Sequence, residues 1–141
     1  MIYDAPEQLQ RAIIATLKAN AGLTVAIAGR VYDTLPPEGS LPCVGLMQMD
    51  TTPFNSSDTE GYDIAVQLSA YTKGPRCKPD AWHIGGLLDA AVSRKESAFT
   101  PTGWKVILIE RIGGTVFRTD ETPSAPEAHG VFRYRFLLEP I

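Results

Sequence analysis

The chain has 141 residues, of which 44% are hydrophobic and 21% are charged, so its size and composition are those of one globular domain. The formal net charge is −3 and no basic block is present, which argues against a protein whose main task is to grip nucleic acid. No apolar run approaches the ~20 residues that cross a bilayer, and the first residues lack the basic and apolar regions of a secretory signal. We therefore expect a single domain over residues 1–141 and no membrane partner.

The first predicted element is an amphipathic helix of about four turns. Asp4 is a candidate cap, Pro6 lies in the first turn, and Glu7 occupies the capping-box position. The mainly apolar side of this helix is formed by Leu9, Ala12, Ile13, Thr16 and Leu17. Asn20 and Gly22 predict the end of the helix, because both residue types are common helix stops.

Residues 23–49 contain short segments around a proline-rich loop. Residues 23–28 fit either a short helical turn or a strand, and residues 29–33 look extended. Residues 35–42 predict a loop, because three prolines fix φ and withhold backbone donors there. The mostly apolar run at 43–49 predicts a strand that is buried on both faces.

Two segments show the alternation of apolar and polar residues that is typical of a half-buried strand. In residues 61–71 the apolar row consists of Tyr62, Ile64, Val66, Leu68 and Ala70. In residues 130–139 the row that should face inward consists of Phe132, Tyr134, Phe136 and Leu138, and the outward row includes Arg133, Arg135 and Glu139.

A second helix is predicted between these strands, over residues 80–94. Its apolar stripe consists of Ala81, Ile84, Leu87, Leu88, Ala91 and Val92. Gly85 and Gly86 each lower helix propensity by about 1 kcal/mol relative to Ala. Close packing of the helix backbone on the sheet is one explanation for this pair.

Residues 104–118 predict a strand that is interrupted near its middle. Trp104, Val106, Leu108 and Ile112 are expected on one side of residues 104–112. Gly113 and Gly114 then make a turn or a bulge, and residues 116–118 continue extended.

Two polar, Pro-containing segments are predicted as loops, at residues 50–60 and 119–129. The first either closes a hairpin or projects as a long loop, and its Phe54 either folds back on the loop or anchors a partner. In the second, Asp120, Glu121 and Glu127 resemble a cation site but lack the alternating ligand spacing of a calcium loop. A solvated acidic loop is therefore the favoured interpretation.

These elements predict an α+β domain: a two-layer sandwich with a mostly antiparallel or mixed sheet of about five strands and two amphipathic helices on one face. The uncovered face is then available to solvent or to another subunit. Arg133 and Arg135 point to the same side of the last strand, where they can bind phosphate, pair with carboxylates of a neighbouring subunit, or keep the face soluble.

The residues give no sign of catalysis. Cys43 and Cys77 have no partner at metal-ligand spacing, so we interpret them as unrelated thiols. His83 and His129 likewise have no second ligand at helical or hairpin spacing. No nucleophile elbow and no phosphate-binding glycine loop is present, so we predict a non-enzyme without metal or cofactor.

The order of the segments resembles one known family. GRVYD at residues 29–33, LPCV at 41–44, VQLSAYTKG at 66–74 and GVFRYR at 130–135 follow one another with a helix on either side of the first three. This series, which spans nearly the whole chain, is similar to the tail-completion or tail-terminator proteins of long-tailed bacteriophages and gene-transfer particles. Tyr71 stands where Trp is usual in that family.

The resemblance implies a structural virion protein of the tail and neck that assembles in the bacterial cytoplasm. Such proteins form a ring, usually of six subunits, that ends polymerisation of the tail tube protein and joins the tail to the head-side stopper, with DNA as passing cargo. On this hypothesis the partner-contact residues lie in the two polar segments: Asp50, Phe54, Asp58, Glu60, Asp120, Glu121 and Glu127. Arg133 and Arg135 are the candidates for the subunit interface. The alternatives are a head-closure or other neck protein, and a small cytoplasmic α+β module that binds a ligand.

Overall fold

A computed structural model describes residues 4–33, 41–55, 60–120 and 126–141 of the chain. The helices in these residues are α1 (Asp4–Ala19), α2 (Ala21–Ile27) and α3 (Cys77–Val92), and a 3-10 turn follows at Glu96–Ala98. The strands are β1 (Val31–Tyr32), β2 (Cys43–Asn55), β3 (Glu60–Lys73), β4 (Trp104–Asp120) and β5 (Glu127–Pro140).

The strands form one five-stranded sheet in the order β1-β2-β3-β5-β4. Strand β1 is parallel to β2, and every other neighbouring pair is antiparallel. The sheet is therefore mixed, and the α+β class predicted from the sequence is confirmed. Strands β2 and β3 are consecutive, as are β4 and β5, so each pair is a hairpin, whereas α3 lies in the connection from β3 to β4.

The alternation predicted for β3 and β5 is confirmed by their pairing. Ile64 lies opposite Phe136, and Leu68 lies opposite Phe132, and all four side chains are buried. The same hydrophobic core contains apolar residues of α1 and α3, namely Leu9, Ile13, Leu17, Ile84 and Leu88. Helices and one face of the sheet thus share a single core, and burial of each large side chain contributes about 1.5–3 kcal/mol.

Helix α2 resolves the ambiguous segment at residues 23–28 in favour of a helix. The side chain of Asn20 accepts a hydrogen bond of 3.0 Å from the backbone N–H of Leu23 and so caps the start of α2. The prediction that Asn20 and Gly22 end the first helix is therefore only half right, because Asn20 also starts the next one and Gly22 lies inside it. Two helices were predicted, whereas the described residues contain three.

Helix α3 begins three residues earlier and ends two residues earlier than predicted, at Cys77 and Val92. The prediction of close packing holds for Gly85: a Cβ there would lie 2.2 Å from Cζ of Phe132. It fails for Gly86, where an added Cβ would meet no atom of the described structure within 4 Å. Gly114 and Gly130 also face the Phe132 ring, at 2.8 Å from an added Cβ in each case. The ring is thus enclosed by three glycines.

The side-chain pattern predicted for β4 is wrong beyond Val106. The pairing with β5 shifts between Val106 and Leu108 and again between Arg111 and Gly113, so one residue is skipped at each point. The first shift moves Ile109 onto the core side, where it is fully buried, and Ile112 is 55% exposed. The bulge predicted around the two glycines is confirmed, but the strand continues through it to Asp120.

The two segments predicted as loops are shorter than expected. Strand β2 extends to Asn55, and Glu60 already pairs with it as the first residue of β3. The hairpin interpretation of residues 50–60 is therefore correct. At the other segment Asp120 pairs with Glu127, so residues 119, 120 and 127–129 belong to strands. Cross-strand pairing outweighs the low strand propensity of these polar residues.

Candidate interaction surface

The side of the sheet opposite the core is mainly polar, and we call it the open face. Its described side chains include Asp50, Asp63, Gln67, Glu110, Arg133 and Arg135. They alternate along their strands with the buried core residues, as the period of two requires. The helices of the described chain share their core with the other face.

An ion-pair group crosses three strands of the open face. Nε of Arg135 on β5 donates to Oδ2 of Asp63 on β3 at 2.8 Å. Its NH1 nitrogen lies 3.6 Å from Oε2 of Glu110 on β4. The hydrogen bond to Asp63 and the charges of the two carboxylates raise the pKa of Arg135. The guanidinium predicted for a subunit interface is therefore already paired within its own subunit.

Arg133 is the more available of the two arginines. It is exposed, lies opposite Gln67, and borders a shallow cavity of about 110 Å³. Asp50 and Gln48 of β2 line the same cavity. The cavity is open and polar, so it suits the side chain of a neighbouring protein better than an apolar ligand.

The two polar hairpin ends lie at opposite ends of the sheet. Strand β3 begins with Glu60 at the β2–β3 hairpin and ends with Lys73, which pairs with Glu127 at the β4–β5 hairpin. Because β3 has 14 residues and a strand rises ~3.3 Å per residue, the two ends are roughly 40 Å apart. The predicted contact residues therefore form two separate sets.

The structure describes only part of these two sets. Glu60 is exposed at the first hairpin end, and Glu127 is half-buried at the second. Asp50 is exposed but lies midway along β2, opposite Ala65. Phe54 and Asp120 lie in β2 and β4, and the predictions for their side chains fall outside the described residues. Asp58 and Glu121 also lie outside the described residues.

An aromatic cluster near the second hairpin end was not predicted. The ring of His129 stacks on Tyr71 at a centroid distance of 4.4 Å and lies 5.1 Å from the ring of Phe117. Burial lowers the pKa of His129, so its neutral form is favoured. Its Nε2 has no hydrogen-bond partner among the described residues. Sequence alone misses this cluster, because the three residues meet only through the register of β3, β5 and β4.

Neither a metal centre nor a membrane span is found in the part of the chain that the structure describes. Its His, Cys, Asp and Glu residues contain no group of three that could hold a metal ion. None of its helices is long and apolar enough to cross a bilayer. Cys43 and Cys77 are buried free thiols, and burial raises the pKa of Cys43. His83 lines a half-open groove beside α2 rather than meeting a second ligand.

Comparison with known proteins decides the family. Residues 11–139 match the model of the family described as "Tail completion protein gp17". The chain belongs to this family. A search of curated proteins finds no significant match to the chain.

A solved structure supports the fold of this family member. A chain from the "Virion of native gene transfer agent (GTA) particle" superimposes with a TM-score of 0.73 and 22% sequence identity. The match covers 93% of this chain and 94% of that one. The resemblance drawn from the sequence is thus confirmed: this is a structural tail protein of the tail completion family.

Proposed function

We propose that the protein forms a closed ring of six copies at the top of the tail tube. The ring ends polymerisation of the tail tube protein and joins the tail to the head-side stopper, and DNA passes through it. The subunits assemble in the bacterial cytoplasm, and the role is structural rather than catalytic. The observation that carries this proposal is the family match over residues 11–139.

The separation of the two hairpin ends supports a joining role. A protein that links the tube on one side to the neck on the other needs two contact surfaces that face in opposite directions. Glu60 marks one end of the sheet, and Glu127 marks the other, roughly 40 Å away. We assign one end to the tube and the other to the stopper.

The charges of the open face suit a surface that does not hold DNA. Arg135 is neutralised by Asp63 and Glu110, so its guanidinium offers little attraction to phosphate. The exposed acids Asp50 and Glu60 repel phosphates if they face the channel. Arg133 remains as an exposed base that a neighbouring subunit can pair with.

Capping of purified tail tubes tests the proposal. Tubes assembled without this protein are mixed with it and imaged by negative-stain electron microscopy, and we expect a ring at one end and no further growth. Binding to tail-less heads instead of to tubes would identify a head-closure protein. A protein that stays monomeric with both partners present would contradict the ring. Tight, salt-sensitive DNA binding by the ring would contradict free passage.

Charge reversal at the two hairpin ends separates the two contacts. We expect Glu60→Lys to weaken one of the two activities, tube capping or head joining, and Glu127→Lys to weaken the other. Glu7→Lys is the matched control, because Glu7 lies on the exposed surface of α1, where it forms an exposed ion pair with Arg11. Equal loss of both activities in both hairpin variants would contradict the assignment of one contact to each end.

A further inference from the structure

Strand β4 forms one edge of the sheet, and its second half is exposed on both faces. Residues 110–119 are exposed except Val116, which is half-buried. Its neighbour on one side is β5, and no strand of the described chain pairs with its other side. An edge strand presents a row of unpaired N–H and C=O groups that can pair with another chain.

Exposed apolar side chains lie at two of the three bulges of this edge. Ile107 and Ile112 are 42% and 55% exposed, and each is the residue skipped in the pairing with β5. Gly113 follows directly, and an added Cβ there would meet no atom of the described structure within 4 Å. The edge therefore exposes the apolar side chain of Ile112 beside the charged Glu110 and Arg111, and its backbone at Gly113 can be approached closely.

Strand β2 leaves a second edge partly open on the far side of the sheet. Strand β1 pairs with it only at Val44 and Gly45, and from Leu46 onward no described residue pairs with that side of β2. Pro53 has no backbone N–H and is a residue type that sheets tolerate at edges. The segment of β2 that is free to pair therefore extends over residues 46–52.

The edges of β2 and β4 run in opposite directions, and their free segments lie at the same position along the strand axis. The strands β2, β3, β5 and β4 alternate in direction, so β2 and β4 run antiparallel. Following the paired residues across the sheet, Gln48 is level with Gly113, and Asp50 is level with Glu110. In a ring whose axis follows the strands, rotation to the next copy preserves both direction and height. Residues 46–52 of one copy then meet residues 108–114 of the next as antiparallel strands.

The side chains of the two segments carry few charges. Residues 46–52 carry a single charge, Asp50, and residues 108–114 carry one acid and one base, Glu110 and Arg111. Asp50 of one copy comes level with Glu110 of the next, a like-charge pair that by itself disfavours the contact, but Glu110 lies 3.6 Å from NH1 of Arg135, which offsets part of its charge. This contact is heterologous, because each copy uses two different edges, and heterologous contacts are those that close rings.

We propose that neighbouring copies join by strand pairing between β4 of one and β2 of the next, so that the sheet continues around the ring. The occupant of the β4 edge is a second copy of this chain. This inference depends on the ring proposed above and specifies its subunit interface.

Disulfide cross-linking tests this interface directly. The double variant Asp50→Cys/Glu110→Cys places one thiol on each edge, and Gln48→Cys/Gly113→Cys does the same one step along the strands. The native cysteines are buried and do not compete. We expect mild oxidation of assembled rings to give a ladder of covalent oligomers for at least one pair, because a disulfide needs Cβ atoms about 3.5–4.5 Å apart. Each single variant is the control and gives no ladder.

The outcomes separate this interface from the ring itself. Rings that assemble normally but give no ladder with either pair would overturn the interface and leave the ring intact. Covalent dimers from the single variant Glu110→Cys would mean that two β4 strands meet, and they would also overturn it. If no ring assembles from the wild-type protein, both proposals are wrong.

Hydrogen exchange with matched variants gives an independent readout. We expect backbone amides in residues 108–114 to exchange at least about tenfold more slowly in the ring than in the free subunit, since edge amides gain partners. Ile112→Asp should abolish rings without lowering the Tm of the subunit. Val25→Asp, at an 89% exposed position on α2, should assemble like the wild type. Unchanged exchange at the edge, or normal rings from Ile112→Asp, would contradict the pairing.

Discussion

Replacing Gly85 by Ala should destabilise the fold although Ala favours helices. The added Cβ would lie 2.2 Å from Cζ and 2.4 Å from Cε1 of Phe132, far inside van der Waals contact. Gly114 and Gly130 restrict the ring from the sheet side, so the ring cannot move away without displacing backbone. Overpacking of a core typically costs about 1–3 kcal/mol, and this geometry favours the upper end.

The gain in helix propensity partly offsets this cost. Ala is favoured over Gly by about 1 kcal/mol in a helix, so we expect a net loss of about 2 kcal/mol for Gly85→Ala. For a chain of this size that loss corresponds to a fall in Tm of roughly 4–8 °C. Urea or thermal unfolding followed by circular dichroism measures it.

The adjacent glycine is a matched control. Gly86 lies in the same helix, is exposed, and has open space where a Cβ would be added. Gly86→Ala should therefore stabilise by up to about 1 kcal/mol. Phe132→Leu should restore part of the loss in a Gly85→Ala background, because it shortens the opposing side chain. A Gly85→Ala variant at least as stable as the wild type would refute the packing argument.

Three further changes should alter stability in stated directions. Asn20→Ala should cost about 1 kcal/mol in urea unfolding, because it removes the cap on the Leu23 N–H, whereas Asn20→Asp should be nearly neutral. Tyr134→Phe should cost about 1 kcal/mol, because the buried phenol donates to Asp89 at 3.0 Å; an unchanged urea midpoint would contradict this contribution. Stability should fall as the pH drops below about 6.5, because burial lowers the folded-state pKa of His129 beneath its unfolded value. His129→Phe should flatten that part of the pH profile.

The parts of the fold that could be predicted depend on local pattern. The alternation in β3 and β5 predicted their buried rows because each period of two is complete within one strand. The stripe of α3 was predictable for the same reason, and its residues are buried except for Leu87, which is half-buried. In these segments the local preference and the tertiary structure agree.

The errors arose where a partner strand decides the structure. Bulges at Ile107 and Ile112 shift the phase of β4, and nothing in the local composition of WKVILIERI marks the first of them. The polar end of β2 is extended because it pairs with β3, not because its residues favour strands. Such effects depend on contacts across the sheet that a single segment does not contain.

The surface features depend on still longer separations along the chain. Arg135 and Asp63 are 72 residues apart, yet their ion pair decides which arginine remains available on the open face. The sequence placed Arg133 and Arg135 on one side of a strand, and only the register shows that their neighbours differ. Because Arg135 is already occupied, a contact made by Arg133 can form in assembly without first breaking an ion pair within the subunit.

The exposed edge of β4 could not be predicted from the local sequence, because it depends on the bulges in the pairing with β5. When the strand is taken as regular, Ile112 falls on the same side as Trp104 and Val106. The bulges change the side to which the following residues point, and they leave Ile107 and Ile112 exposed on an edge that no described strand pairs with. Natural proteins usually protect such an edge with charges or cover it. Two different open edges of matching direction are what repeated addition of identical subunits requires.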